Sequence, residues 1–135
     1  RGGGLWLNEK PVSPHGEALD HPPTIALSPW EQQRGRFQSV ATQIAGRPMR
    51  SIAWALALAA SGRIQAVATW ESQNEWDIAA GALLVQEGGG TASDGRGAPL
   101  RFNQRDPRCC GMVATGRHCP DPLARQLRTL GPAAQ

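Results

Sequence analysis

The sequence has no long hydrophobic run, almost no lysine and no cysteine pair of the kind that grips zinc. The longest apolar stretch, Ile52 to Ala60, falls well short of the roughly 20 residues that span a bilayer, so no transmembrane segment is expected. Of fourteen basic residues only Lys10 is a lysine, and the arginines are scattered rather than gathered on one segment. Proteins that grip a phosphate backbone usually cluster such charge, so no nucleic-acid partner is expected despite the net charge of +3. Cys109, Cys110 and Cys119 are odd in number and lack C-x-x-C spacing, which reads as reduced thiols in a cytoplasmic protein. No signal peptide is recognised within these residues, nor any internal repeat or low-complexity tract. The chain opens at Arg1 without methionine, which suggests an amino-terminal portion that these residues do not include.

What remains is an ordinary globular composition, 40% hydrophobic and 19% charged over 135 residues. That length suits one core, so residues 1–135 are expected to form a single domain. Leu5 to Asn8 alternates behind three glycines and reads as a strand closed by the turn residues Glu9-Lys10-Pro11. Residues 12–23 form a proline-rich polar loop, in which His15 and His21 read as loop residues rather than metal ligands. Thr24 to Leu27 is a short strand candidate. Ser28 and Pro29 then look like the cap and first position of a helix over 30–44, with Gly46 as its stop.

Residues 50–61 make a second helix, apolar nearly all round and therefore expected to be buried between layers. Gly62 supplies its stop, and a strand follows from Ile64 to Trp70. A third helix opens at Trp76-Asp77 and ends at Gly88-Gly89-Gly90, with Trp76, Leu83 and Leu84 expected in the core and Glu87 at a solvated end. Residues 91–93, 100–102 and 111–114 are short strand candidates, and 122–130 a closing helix with Leu123, Leu127 and Leu130 on one side. Strands alternating with helices predict an α/β layered sandwich, a mixed sheet flanked by helices.

The stretch Glu75-Trp76-Asp77-Ile78-Ala79-Ala80-Gly81-Ala82-Leu83-Leu84-Val85-Gln86-Glu87-Gly88-Gly89-Gly90, preceded by Gly62-Arg63-Ile64-Gln65, resembles the second signature of the inositol monophosphatase family. The flanks agree in order. Gly2-Gly3-Gly4-Leu5-Trp6-Leu7-Asn8 with Pro11 resembles the family's glycine-rich strand and N-G-x-P turn. Arg50-Ser51-Ile52-Ala53 is similar to its G-S-x-A helix start, and 94–100 to its strand pair. The resemblance covers all but the last fifteen or so residues and implies the carboxyl-terminal half of the sugar-phosphatase fold. It also implies a phosphomonoesterase in which Mg²⁺ activates water for in-line attack and stabilises the leaving alkoxide.

On that resemblance Asp77 is a metal ligand, and Glu71, Ser51 and Ile52 contact a small phosphorylated substrate such as inositol monophosphate. The segment between Trp70 and Trp76 is one residue shorter than in most members. Without the resemblance, Asp77 reads as a helix N-cap. Arg50 stands for the usual glycine, where it either crowds the pocket or binds phosphate; Gln65 stands for an aspartate and Gly88 for an alanine. The family's other acidic ligands, including its D-P-I-D-G-T segment, have no counterpart here, and neither Asp106-Pro107 nor Asp121-Pro122 replaces them. The resemblance therefore implies an incomplete Mg²⁺ site, an inactive isolated chain and an absent amino-terminal half as partner. Apolar surface left by that half is expected to drive homo-oligomers. A 3′(2′),5′-bisphosphate nucleotidase of the same superfamily and a non-catalytic interaction module are the alternatives.

Overall fold

A computed structural model describes residues 2–12 and 21–130 of the chain. The loop reading of residues 13–20, His15 included, lies outside the described residues. Among those described, two short strands, β1 (Trp6–Leu7) and β2 (Lys10–Pro11), pair antiparallel as a hairpin. Its tip residues Asn8 and Glu9 both have positive φ, 49° and 63°, the geometry of a two-residue turn matched to strand twist. The expected strand and turn are thus one ribbon.

The main sheet has five strands: β3 (Thr24–Leu27), β4 (Ala45–Pro48), β5 (Ala66–Asn74), β6 (Thr91–Asp94) and β7 (Arg108–Thr115). Their order is β4-β3-β5-β7-β6; the β4–β3 and β3–β5 pairs are parallel, β5–β7 and β7–β6 antiparallel. This is the mixed sheet expected. Along β3, the first half of β5 and the second half of β7 both faces are largely buried, because helices and the 37–44 segment cover both sides. Ala26, Val67, Met112 and Ala114 face a core with α2 (Ile52–Ala60) and α3 (Glu75–Glu87). Ile25, Leu27, Ala66, Ala68, Trp70 and Val113 face the other core, with the 37–44 segment and α4 (Asp121–Leu130). Leu56, Ile78, Val85 and Leu127 are fully buried, each contributing about 1.5–3 kcal/mol by leaving water.

The helix expected over 30–44 is broken. Only α1 (Pro29–Gln33) is helical; Gly35 turns the chain at φ +71°, and a 3₁₀ turn at Gln38–Val40 follows. Gly46, read as a helix stop, lies inside β4 instead. Glycine's tolerance of the left-handed region, placed at Gly35, overrides the helical spacing of Phe37, Val40 and Ile44. Those three side chains are buried all the same, because the irregular segment still lays them on the sheet.

α2 and α3 end alike. The amides of Gly62 and Arg63 donate to the carbonyls of Ala59 and Leu58, and those of Gly89 and Gly90 to Gln86 and Val85. Each is a Schellman closure with glycine at the positive-φ position. The full burial expected of α2 fails, since Trp54 is 59% exposed. Trp76, Leu83 and Leu84 are likewise exposed rather than core, at 68%, 40% and 37%. They occupy the side of α3 turned away from the sheet, whereas Ile78, Ala82 and Val85 occupy the buried side. Gly81 explains the glycine of the Trp76-Asp77 signature: a Cβ there would sit 2.5 Å from Leu56 Cδ1, so the glycine lets α2 and α3 touch.

β5 runs past Trp70 to Asn74, through the polar connection expected there, because its backbone keeps pairing with β7. The expected strand at 100–102 is not found; just before it, Pro99 makes an isolated bridge to Ser93. Gln65 serves the far end of the sheet, where its side-chain oxygen accepts the Thr24 amide at 2.7 Å. Glu87 is not merely solvated: its carboxylate accepts the amides of Gly2 (2.6 Å) and Gly4 (2.8 Å), tying the hairpin to α3.

Candidate functional site

Parallel β3 and β4 send their onward connections to opposite faces of the sheet: the 29–44 segment to one, α2 to the other. Such a reversal opens a crevice beyond the carboxyl ends of the strands, the usual ligand position in open α/β sheets. A cleft of about 600 Å³ lies there, between the loop after β3 (Leu27 to Pro29), the loop after β4 (Met49 to Ser51) and the far half of β5.

All four residues singled out from the sequence line this cleft: Ser51, Ile52, Glu71 and Asp77. Arg50, Thr69 and Gln73 join them. Ser51 is the N-cap of α2, and its hydroxyl oxygen accepts the Trp54 amide at 3.2 Å. The next amides, of Ile52 and Ala53, belong to the helix turn that has no intrahelical acceptor. Arg50, exposed, lines the same cleft. Across the cleft, Asp77 lies in the first turn of α3. The N-cap of α3 is Asn74, so the capping reading of Asp77 does not hold; Asn74 Nδ2 donates to Asp77 Oδ2 at 3.1 Å. One wall thus offers cationic and N–H groups suited to an anion, the other two carboxylates suited to a cation or to hydroxyls.

The donor set does not amount to a magnesium site by itself. Among the described residues no three His, Cys, Asp or Glu side chains gather as metal ligands, and Mg²⁺ asks for near-octahedral oxygen donors. Asp77 offers a single carboxylate.

Sequence reasoning missed two carboxylates that brace the elements around the cleft without lining it. Glu75 accepts the amides of Asn103 (2.6 Å) and Gln104 (3.1 Å), pinning the 100–107 loop to the start of α3. Glu31 is 1% exposed and bonds to β5 behind the cleft wall. Nothing in its local sequence marks it, because a glutamate in a polar helix normally faces water. The cysteines are all free. Burial pushes the thiols of Cys109 and Cys119 each up to about 11, leaving both protonated and unreactive at neutral pH.

Fold and cleft together define a three-layer α/β protein with a strand-end crevice suited to a small anion beside a cation. The profile of the inositol monophosphatase family matches residues 1–128. The chain belongs to that family, which is one of phosphatases. A 64-residue segment is 48% identical to the Nus factor SuhB of Pseudomonas aeruginosa, covering 46% of this chain and 23% of that protein. Inositol monophosphate-bound SaIMPase-II, a staphylococcal protein, superposes with a TM-score of 0.75 at 20% identity, over 95% of this chain and 48% of that one. PH1897 from Pyrococcus horikoshii, described as similar to inositol-1 monophosphatase, gives 0.77 at 21% identity, over 97% and 50%. The chain spans about half the length of the solved structures it matches. Among the described residues no helix is long and apolar enough to cross a membrane.

Proposed function

We propose that this chain supplies the substrate-binding wall of a Mg²⁺-dependent phosphomonoesterase acting on inositol monophosphate or a related small phosphorylated metabolite. One observation carries the reading: Ser51 and Ile52 at the head of α2, Glu71 on β5 and Asp77 on α3 line one cleft at the switch point of the sheet. The free amides at the head of α2, with Arg50, suit a phosphate. Glu71 accepts a substrate hydroxyl, and Asp77 contributes one carboxylate toward Mg²⁺. Its remaining donors come from a partner polypeptide or segment carrying acidic ligands. Until that partner is present, the 135 residues hydrolyse phosphomonoesters negligibly.

The same partner covers the outer side of α2 and α3, where Trp54, Trp76, Leu83 and Leu84 are exposed; without it the chain self-associates there. A cationic Arg50 in the cleft lining favours a second substrate reading, a 3′(2′),5′-bisphosphate nucleotide, which carries a second phosphate.

The test is phosphate release from myo-inositol 1-phosphate and from adenosine 3′,5′-bisphosphate in Mg²⁺, by the chain alone and mixed with a polypeptide bearing the D-P-I-D-G-T segment. Activity only in the mixture, lost with Asp77→Asn, supports the proposal, and the preferred ester separates the two substrate readings. Activity of the chain alone that Asp77→Asn abolishes contradicts the incomplete site. No activity under any condition favours the non-catalytic module.

A further inference from the structure

The cleft leaves one buried carboxylate without a part. Glu31, in α1, is 1% exposed and is not among the cleft-lining residues. Both of its oxygens are taken: Oε2 accepts the Thr69 hydroxyl at 2.8 Å, and Oε1 accepts the Trp70 amide at 2.8 Å. Thr69 Oγ1 in turn accepts the Glu71 amide at 3.2 Å. These residues sit at the one register shift of β5. Between the pairs Thr69–Met112 and Ser72–Cys110, β5 carries Trp70 and Glu71, while β7 carries only Gly111.

A bulge of this kind leaves backbone groups outside the ladder, bends the strand and raises its twist. A buried amide left without an acceptor costs about 1–3 kcal/mol. Glu31 supplies the acceptor at Trp70 directly, and at Glu71 by holding Thr69 Oγ1 in place. From the other side Gly111, at φ +74°, presses on the bulge, since a Cβ there would lie 2.7 Å from the Thr69 carbonyl oxygen. The bulged segment is therefore gripped between β7 and the Glu31 carboxylate, and its next side chain into the cleft is Glu71.

We propose that Glu31 is a positioning residue for the cleft: by holding Thr69 Oγ1 and the Trp70 amide it fixes the bulge of β5 that presents Glu71 to the ligand. This rests on the reading of the cleft as a phosphate-ester site with Glu71 as a contact. Glu31 touches no ligand itself. Its placement links two lips of the cleft, since α1 starts at the cleft-lining Pro29 and β5 carries Thr69 and Glu71.

Amide hydrogen exchange on the 135-residue chain tests the grip. In Glu31→Gln the amides of Trp70 and Glu71 are expected to exchange about tenfold faster, with Ala66 to Ala68 unchanged. In Thr69→Val the Glu71 amide alone is expected to accelerate. Uniform acceleration along β5, or none at Trp70 and Glu71, overturns the proposal. Binding of myo-inositol 1-phosphate in Mg²⁺, read from cleft resonances, tests the consequence. Glu31→Gln is expected to weaken it about fivefold, and to make no further difference in a Glu71→Ala background. Equal losses in both backgrounds would show that Glu31 does not act through Glu71. A wild-type chain whose cleft ignores the ester instead overturns the reading of the cleft, and the exchange data keep the two failures apart.

Discussion

The two helical layers of this molecule meet water differently. α4 is finished on both sides, with Leu123, Ala124 and Leu127 against the sheet and Arg125 exposed outside. α2 and α3 bury their inner side just as fully, yet turn Trp54, Trp76, Leu83 and Leu84 outward. The heads of these two helices, with Ser51 and Asp77, form part of the cleft lining. A surface that keeps large apolar groups next to a ligand crevice is one that a further polypeptide is proposed to cover, whereas the α4 surface already ends the fold.

The contrast can be broken from either side. Truncating a fully buried residue of the finished layer, Leu127→Ala, is expected to cost about 2–5 kcal/mol in urea unfolding. On the other layer, Gly81→Ala is expected to cost about 1–3 kcal/mol, because the new methyl meets Leu56 where α2 and α3 touch. A loss below measurement error at Gly81 would mean that the helices separate without penalty. Trp54→Gln with Trp76→Gln is expected to change stability by only about 0.5 kcal/mol but to lower self-association in sedimentation, while Arg125→Gln on α4 leaves association unchanged. A chain that stays monomeric at high concentration before any substitution would remove the distinction between the layers.

The smallest effect expected is a pH slope. Burial raises the Glu31 carboxyl above its ordinary 4.5, with Glu71 adding to the rise and the Trp70 amide, Thr69 hydroxyl and Arg36 opposing it. A carboxyl whose pKa is higher folded than unfolded binds more protons when folded. Its stabilising share is therefore complete below the unfolded value and is lost as pH climbs through the folded one. Glu31→Gln is expected to flatten the stability profile in the window that opens at the ordinary 4.5 and extends upward; an unchanged slope contradicts the assignment.

Much of this was legible in the sequence, for physical reasons that differ by element. Thr24–Leu27 and the 75–87 helix follow from apolar runs bounded by strong stop signals, and the glycines at 62 and 89 close helices as glycine usually does. The 30–44 segment misled because its apolar spacing survives while Gly35 breaks the backbone. Trp76 and Leu83 misled because apolar character says nothing about which side of a helix a partner covers. Ser51, Glu71 and Asp77 could be named from their motif context, but their convergence needed the strand order. Glu31 was invisible, since its importance depends on a bulge thirty-nine residues away at Trp70.

The central claim is that these separated residues form one phosphate-ester cleft. Its most direct test is a residue-resolved NMR titration of the chain with myo-inositol 1-phosphate in Mg²⁺. Shifts concentrated at Ser51 to Ala53, Glu71 and Asp77 are the expected result. Shifts confined to the separate cavity around Arg96 and Arg101, with those residues silent, would contradict it.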